Sequence, residues 1–318
     1  AYETPMLMTH RELRYRRFVA PRYWSMWFAL GLARVLASLP LRLQHAMGRT
    51  LGQLAFKLLK SRRRVTITNL THCFPELNGA EVYTLAQRSF ESNGVGIFEA
   101  FRSWFRTPDS LEKRVRFEGQ EHLDAALAKG KGVILLGGHF STLDLAGNLT
   151  TLFFKADVMQ RDHLNGLFNA VMTRSRTALY GEVLAKNDVR GLLKSLRKNH
   201  VVWYAVDQDY GRNNTVFAPF FGVPCATLTT PARIAKNTGA AIVPFSHYRL
   251  PDAQGYVIKT LPALENFPTD DAFADATRLN LVLESAIREA PEQYLWMHRR
   301  FKTPKEPGQK NIYGQTRN

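Results

Sequence analysis

Cysteine is almost missing from this chain: Cys73 and Cys225 are the only two in 318 residues. Two thiols cannot make a disulfide framework, and without a Cys-x-x-Cys pair the sequence offers no zinc-finger or iron–sulfur ligands; a reducing, cytoplasm-facing setting fits. Several catalytic signatures are also absent. There is no Gly-x-Ser-x-Gly elbow, no Walker A loop, no Gly-x-Gly-x-x-Gly after a strand and no His-Glu-x-x-His. Their absence argues against elbow-type serine hydrolases, P-loop NTPases, Rossmann dehydrogenases and zincins. Internal repeats and low-complexity tracts are lacking too.

Carboxylates are scarce at the two ends. Residues 1–64 carry 13 Lys/Arg against Glu3 and Glu12, and residues 299–318 carry 6 against Glu306, whereas Lys/Arg and Asp/Glu balance between. A neutral body with basic ends suits a polyanion, either nucleic acid or an anionic membrane face. The segment Tyr23–Leu39, YWSMWFALGLARVLASL, favours the membrane. As a helix it spans about 25 Å, slightly short for a bilayer core. Tyr23, Trp24 and Trp27 open it like an interfacial aromatic belt, and Arg11, Arg14, Arg16, Arg17 and Arg22 lie before or at its start. Arg34 interrupts its apolar run and no small-residue cleavage site follows, so it reads as an anchor, spanning or interfacial, and not as a signal peptide. A buried amphipathic helix is the plainer alternative.

Residues 43–60 form an amphipathic helix with Leu43, Met47, Leu51, Leu54 and Leu58 on one stripe. Such a stripe is more often a core face than a membrane face. Gly48-x-x-x-Gly52 permits close helix packing. The run Ser61-Arg62-Arg63-Arg64 is expected to end the helix, as a solvated face or as phosphate ligands beside a membrane segment. A Phe-rich helix follows at 80–105. Strands are then predicted at 132–137, 201–206, 241–247 and 255–261, alternating with helices at 121–129, 141–153, 164–179, 187–198, 230–237 and 271–289. This order predicts an α/β fold, a mostly parallel sheet flanked by helices, with an N-terminal membrane-anchoring helix. The division expected is 1–42 for the basic segment and anchor, 43–303 for the α/β domain, and 304–318 for a loose basic tail.

The richest stretch is Gly137-Gly138-His139-Phe140-Ser141-Thr142-Leu143-Asp144. An apolar strand delivers an imidazole to its carboxyl end, where open α/β sheets bind ligands, and Asp144 follows five residues later. Such a pair can take a proton from a hydroxyl and make it a nucleophile. The plain alternative is a strand-end histidine with Ser141 and Asp144 as a capping box. Elsewhere, Asp207-Gln208-Asp209-Tyr210-Gly211 closes a strand; two acids there can bind a metal, orient an arginine, do acid–base work or simply turn the chain. Arg161 at a strand end and Arg299-Arg300 near the terminus are candidate phosphate ligands or surface cations. Residues 215–228 read as a buried apolar loop, lining an acyl groove or completing the core.

Taken together these pieces resemble the late acyltransferases of lipid A biosynthesis, the lauroyl/myristoyl transferase family. The likeness rests on Pro21-Arg22-Tyr23-Trp24, Asn69-Leu70 with Cys73-Phe74-Pro75-Glu76, His139 with Asp144, Val202-Trp203-Tyr204-Ala205 running into 207–211, Pro291–Trp296, and His298-Arg299-Arg300-Phe301-Lys302-Thr303. The last motif is nearer the lauroyl-type branch. Asp144 stands where that branch often has Glu, and Gln160-Arg161-Asp162 where the family has Tyr-Arg-Pro. The resemblance implies a glycerolipid acyltransferase-like fold and an inner-membrane enzyme facing the cytoplasm. It would move a fatty acyl chain from acyl-carrier protein, or acyl-CoA, to a hydroxyl of a Kdo-containing lipid A precursor, with no cofactor, no metal and no nucleic-acid partner. His139 would be the base and Asp144 its orienting acid. Arg161, Asp207, Gln208, Asp209, Tyr210, Arg299 and Arg300 would contact substrate, and Gly138 or Arg161 would steady the oxyanion. Two rival readings are a lysophospholipid acyltransferase, which shares the dyad, and a non-catalytic basic binder, which leaves the dyad unexplained.

Overall fold

The computed structural model describes residues 15–314. Arg11 and Arg14 of the basic lead, with the remainder of 1–14 and 315–318, lie outside the described residues. Four helices come first: α1 (Trp24–Leu36), α2 (Leu41–Leu58), α3 (Lys60–Cys73) and α4 (Gly79–Phe105). Strands and helices then alternate: β1 (Val115–Glu118), α5 (Gln120–Leu127), β2 (Val133–Gly137), α6 (Leu143–Thr150), β3 (Ala156–Gln160), α7 (Gly166–Leu179), β4 (Val183–Ala185), α8 (Val189–Arg197) and β5 (Val201–Ala205). The chain continues through β6 (Thr215–Phe220), β7 (Val223–Leu228), α9 (Thr230–Thr238), β8 (Ala241–Arg249), β9 (Tyr256–Thr260) and α10 (Ala272–Glu289).

Seven strands form one sheet in the order β1-β9-β8-β2-β5-β3-β4, parallel throughout except where β8 meets β9. β2 lies at its centre, and all five of its residues are buried, as an unbroken apolar run in a helix-covered parallel sheet should be. Its register on β5 pairs Leu135 with Trp203 and Gly137 with Ala205. The two strands therefore end level, at the same carboxyl edge. α9 carries the punctuation expected of it, with Thr229 before it, Pro231 in its first turn and Gly239 closing it at φ 75°.

α4 is 27 residues long and opens on a full capping box: Asn78 Oδ1 accepts from the Ala80 and Glu81 amides, and Glu81 Oε2 accepts from the Asn78 amide. α2 crosses it at glycines. A methyl on Gly94 would run into the Gly48 carbonyl and the Gly52 amide, so the pair Gly48-x-x-x-Gly52 is used as close-packing surface. Gly94→Ala should thus cost about 1–3 kcal/mol from forced separation of the helices, read as a lower urea midpoint at unchanged slope; an unshifted midpoint would show that the crossing has slack.

Several expectations are corrected. The stripe Leu43, Leu51, Leu54 and Leu58 is exposed, and α2 instead buries Leu41, Gln44, His45, Gly48, Gly52 and Phe56. The basic run does not end the helical path. Leu59 breaks it at φ −87°, ψ 62°, and Lys60 to Arg64 then start α3. Residues 215–228 are not a loop but the antiparallel hairpin β6–β7, which turns through Phe221-Gly222 at positive φ and sets Pro219 opposite Pro224. Within 304–318 the described part is docked and not loose: Tyr313 Oη donates to Asn69 Oδ1 and Asn311 Nδ2 to the Lys302 carbonyl. The N-terminal anchor, by contrast, is neither confirmed nor overturned: no helix among the described residues is long and apolar enough to cross a membrane, which leaves the interfacial alternative open. α1 has 13 residues, buries Leu30 and Ala33, and exposes Trp24, Phe28, Leu32 and Val35.

Candidate active site

His139 sits two residues past β2, and Asp207 two residues past β5. Since Gly137 and Ala205 are in register, parallel pairing alone brings these side chains together. Asp207 Oδ1 lies 2.7 Å from His139 Nδ1, and Asp207 Oδ2 accepts from the His139 backbone amide at 2.7 Å. The carboxylate thus holds both the ring and its main chain. Gly138 leaves room beside the pair: a Cβ there would push on Leu283 Cδ1 and crowd Asp207 Oδ2. Asp207 is 2% exposed. Burial alone would raise its pKa, but the charge and hydrogen bonds of His139, with Arg300 nearby, hold it down at about 2. For His139 burial pulls the pKa down, yet the Asp207 charge and hydrogen bond outweigh it and the net shift is upward. With Nδ1–H given to Asp207, Nε2 keeps its lone pair. That nitrogen faces Gln208 Nε2 at 3.3 Å, and Tyr210 Oη donates to Gln208 Oε1 at 3.2 Å.

The loop bearing His139 is fastened from the far end of the chain. Ser141 N donates to the Gln293 carbonyl at 2.7 Å and Leu295 N to the His139 carbonyl at 3.0 Å. Gln293 in turn exchanges bonds with the Arg249 backbone. Arg249 forks onto buried Glu99, Nε and Nη2 each at 2.6 Å, and its Nη1 reaches Ser92 Oγ, which is bonded to Ser141 Oγ. Burial would raise the Glu99 pKa, but the Arg249 charge holds it at about 2.

Asp144 is placed otherwise than expected. It lies in the first turn of α6 and pairs with Arg176 Nη2 at 3.4 Å, adding to His139 only a longer-range charge. The helix it enters has Thr142 at its cap with no side-chain cap bond, so the Ser141–Asp144 capping box does not form. The ring partner is Asp207. Asp209 points away: it accepts from Thr303 N and Oγ1 and from Gly211 N, latching the C-terminal segment. Arg300 is 2% exposed and donates to the Ala226 carbonyl and Thr227 Oγ1, a structural anchor for β7. Arg299 lies apart from the histidine's cleft, in a hollow with Lys60, Arg64 and Tyr313. Arg161 does line the cleft of about 1300 Å³ that contains His139, Gln208 and Tyr210.

Sequence reasoning missed Lys186 and Asn187 in that cleft, and Trp203, whose indole stands edge-on to the His139 ring at 5.7 Å between centroids. Trp203 also lines a second, solvent-open pocket walled by Leu135, Leu143, Met159 and Phe245, with Asp144 and Arg176 among its polar lining residues. A cleft with cations and an apolar pocket therefore share the tryptophan beside the histidine. Among the described residues no cluster of His, Cys, Asp or Glu is placed to hold a metal.

His247 packs behind the loop and accepts or donates at Thr142 Oγ1, 2.8 Å away. Burial drops its pKa from 6.5 to about 4. Because the folded state refuses a proton that the unfolded state accepts, its contribution is complete above 6.5 and is lost as pH falls towards 4. Urea unfolding across that range should show about 3 kcal/mol of lost stability from this group. His247→Gln should flatten that part of the curve, and an unchanged curve would refute the assignment.

These features define the class: an α/β enzyme that sets a carboxylate-held histidine at the meeting of a polar cleft and an apolar pocket. Residues 12–303 match the family model described as bacterial lipid A biosynthesis acyltransferase, and the chain belongs to that family. It is 37% identical over 287 residues to the lipid A biosynthesis lauroyltransferase of Escherichia coli K12, covering 90% of this chain and 94% of that protein. The palmitoleoyltransferase of the same organism is 36% identical, covering 94% and 97%. The myristoyltransferase is 28% identical over 94% and 93%. The chain is an acyltransferase of lipid A biosynthesis.

Proposed function

We propose that the enzyme transfers a fatty acyl chain from a thioester, on acyl-carrier protein or coenzyme A, to a hydroxyl of a Kdo-containing lipid A precursor at the cytoplasmic face of the inner membrane. The observation that carries the mechanism is the His139–Asp207 pair at the join of cleft and pocket. His139 Nε2 takes the proton of the acceptor hydroxyl as its oxygen attacks the thioester carbonyl. The tetrahedral adduct collapses, the C–S bond breaks, and the proton passes from the imidazolium to the departing thiolate. Asp207 keeps the ring in the tautomer that presents Nε2 and stabilises the imidazolium. The Gly138 amide or the Arg161 guanidinium steadies the oxyanion. The acyl tail lies in the pocket of Leu135, Leu143, Met159 and Phe245, and of the two alternatives for 215–228, acyl groove or core, the hairpin takes the second. Arg161 and Lys186 meet the anionic groups of the acceptor. The exposed Trp24, Phe28 and Val35 of α1 rest in the membrane interface.

The test is acyl transfer by detergent-solubilised protein, offered lauroyl- and myristoyl-carrier protein with a Kdo-bearing tetra-acylated precursor and read by mass spectrometry. One added acyl chain is expected, and its mass gives the length that the pocket accepts. Transfer to lysophospholipid instead, or to neither acceptor, would overturn the reading.

A further inference from the structure

α2 is turned the wrong way for a helix of a water-facing domain. Its buried side is narrow: Leu41 and Phe56 at the ends, Gln44 and His45 between, and Gly48 and Gly52 set closely against α4. Its leucines point outward: Leu43 is 45% exposed, Leu51 38%, Leu54 51% and Leu58 66%. At 3.6 residues per turn these lie on one stripe along a helix of about 27 Å. A soluble domain rarely leaves such a stripe uncovered. The surroundings say what covers it. From residue 13 to residue 75 the sequence contains no Asp or Glu. Arg42, Arg49 and Lys57 flank the stripe, and all three are exposed. Just past its end, Lys60, Ser61, Arg64, Thr68, Arg299 and Tyr313 line a hollow of about 810 Å³ with no carboxylate in its wall. Leucines between cations, ending in a basic hollow, complement an acyl layer beneath anionic headgroups.

We propose that the outer face of α2 is a second membrane-docking surface, independent of α1, which lies flat on an anionic phospholipid bilayer with its leucines among the acyl chains and a headgroup phosphate in the Lys60–Arg64 hollow. This rests on the reading that the protein works at a membrane face, and does not depend on which acceptor it acylates. Two surfaces on separate helices fix the tilt of the body on the bilayer, which one helix alone leaves free to swivel.

Full-length protein is sedimented with vesicles of phosphatidylcholine, with and without phosphatidylglycerol. The variants are Leu51→Gln/Leu54→Gln/Leu58→Gln, then Lys57→Gln/Lys60→Gln/Arg64→Gln, and Trp24→Gln/Phe28→Gln on α1 for comparison. All of these side chains are exposed, so the fold is kept. The leucine variant should bind phosphatidylglycerol vesicles more weakly by on the order of 100-fold. The charge variant should lose roughly tenfold or more and much of the salt dependence. Both should retain wild-type turnover on detergent-dispersed substrates, an assay that judges the acyltransferase reading separately. Vesicle binding by both α2 variants equal to wild type would overturn the proposal. So would a wild-type dimer that the leucine variant dissolves while vesicle binding stays unchanged, because the stripe would then belong to a second copy of the chain.

Discussion

Asp207→Asn is expected to lower acyl transfer by about four orders of magnitude, while Asp144→Asn costs about tenfold or less. The two carboxylates stand in different relations to the base. Asp207 is buried and bonded to His139 twice, at Nδ1 and at the backbone amide. An amide in its place can donate to Nδ1, which puts the ring proton on Nε2, where the lone pair is needed. Asp144 is 39% exposed and bonded to Arg176. Its neutralisation leaves the ring's hydrogen bonds untouched. The pH profile separates the cases further. As the proposed base His139 acts in its neutral form, and its pKa is raised, so kcat/KM should climb with pH along a limb centred above 6.5. In Asp207→Asn burial acts unopposed by that charge, and the limb moves to lower pH. Equal losses in the two variants would return Asp144 to the role the sequence suggested.

His139→Ala should abolish transfer, by about 10³–10⁴-fold or more, with the protein still folded. Stability is not untouched: Asp207 is left buried with one hydrogen-bond partner fewer, at about 1–3 kcal/mol. The double variant His139→Ala/Asp207→Asn should therefore be more stable than His139→Ala and no less active, since the two side chains act as one unit. Circular dichroism and urea midpoints taken beside the rates read both outcomes. Rates that multiply down in the double variant would mean that the residues work separately.

Much of this was legible from the residues. β2 was plain as a short apolar run, and His139 at its end followed from Gly137-Gly138 and the strand's length. α9 was marked by Thr229, Pro231 and Gly239. What misled was proximity in sequence. Asp144 is five residues from His139, so it looked like the partner, whereas Asp207 is 68 residues away and reaches it through the register of β2 on β5. The signal was present in two apolar strands, each followed two residues later by a polar side chain, but only the pairing of Gly137 with Ala205 makes it a contact. Arg300 and Asp209 looked like ligand residues because charge near a motif invites that reading; they are spent on β7 and on Thr303. The short strands β1 and β4 have too few residues for a periodicity to register. For α2 the helix was found from its period and its orientation reversed, because a hydrophobic stripe names a face without naming the solvent it meets.

The bonds from Gln293 and Leu295 to the His139 loop have a consequence in time. A ribosome finishing residue 290 has already made the base, its carboxylate, the cleft and the apolar pocket. It has not made the strap that holds the base in place. The nascent chain at that point carries the reacting side chains without the strap, and the bonds that fix the His139 loop can form only once residues 293–295 have been made.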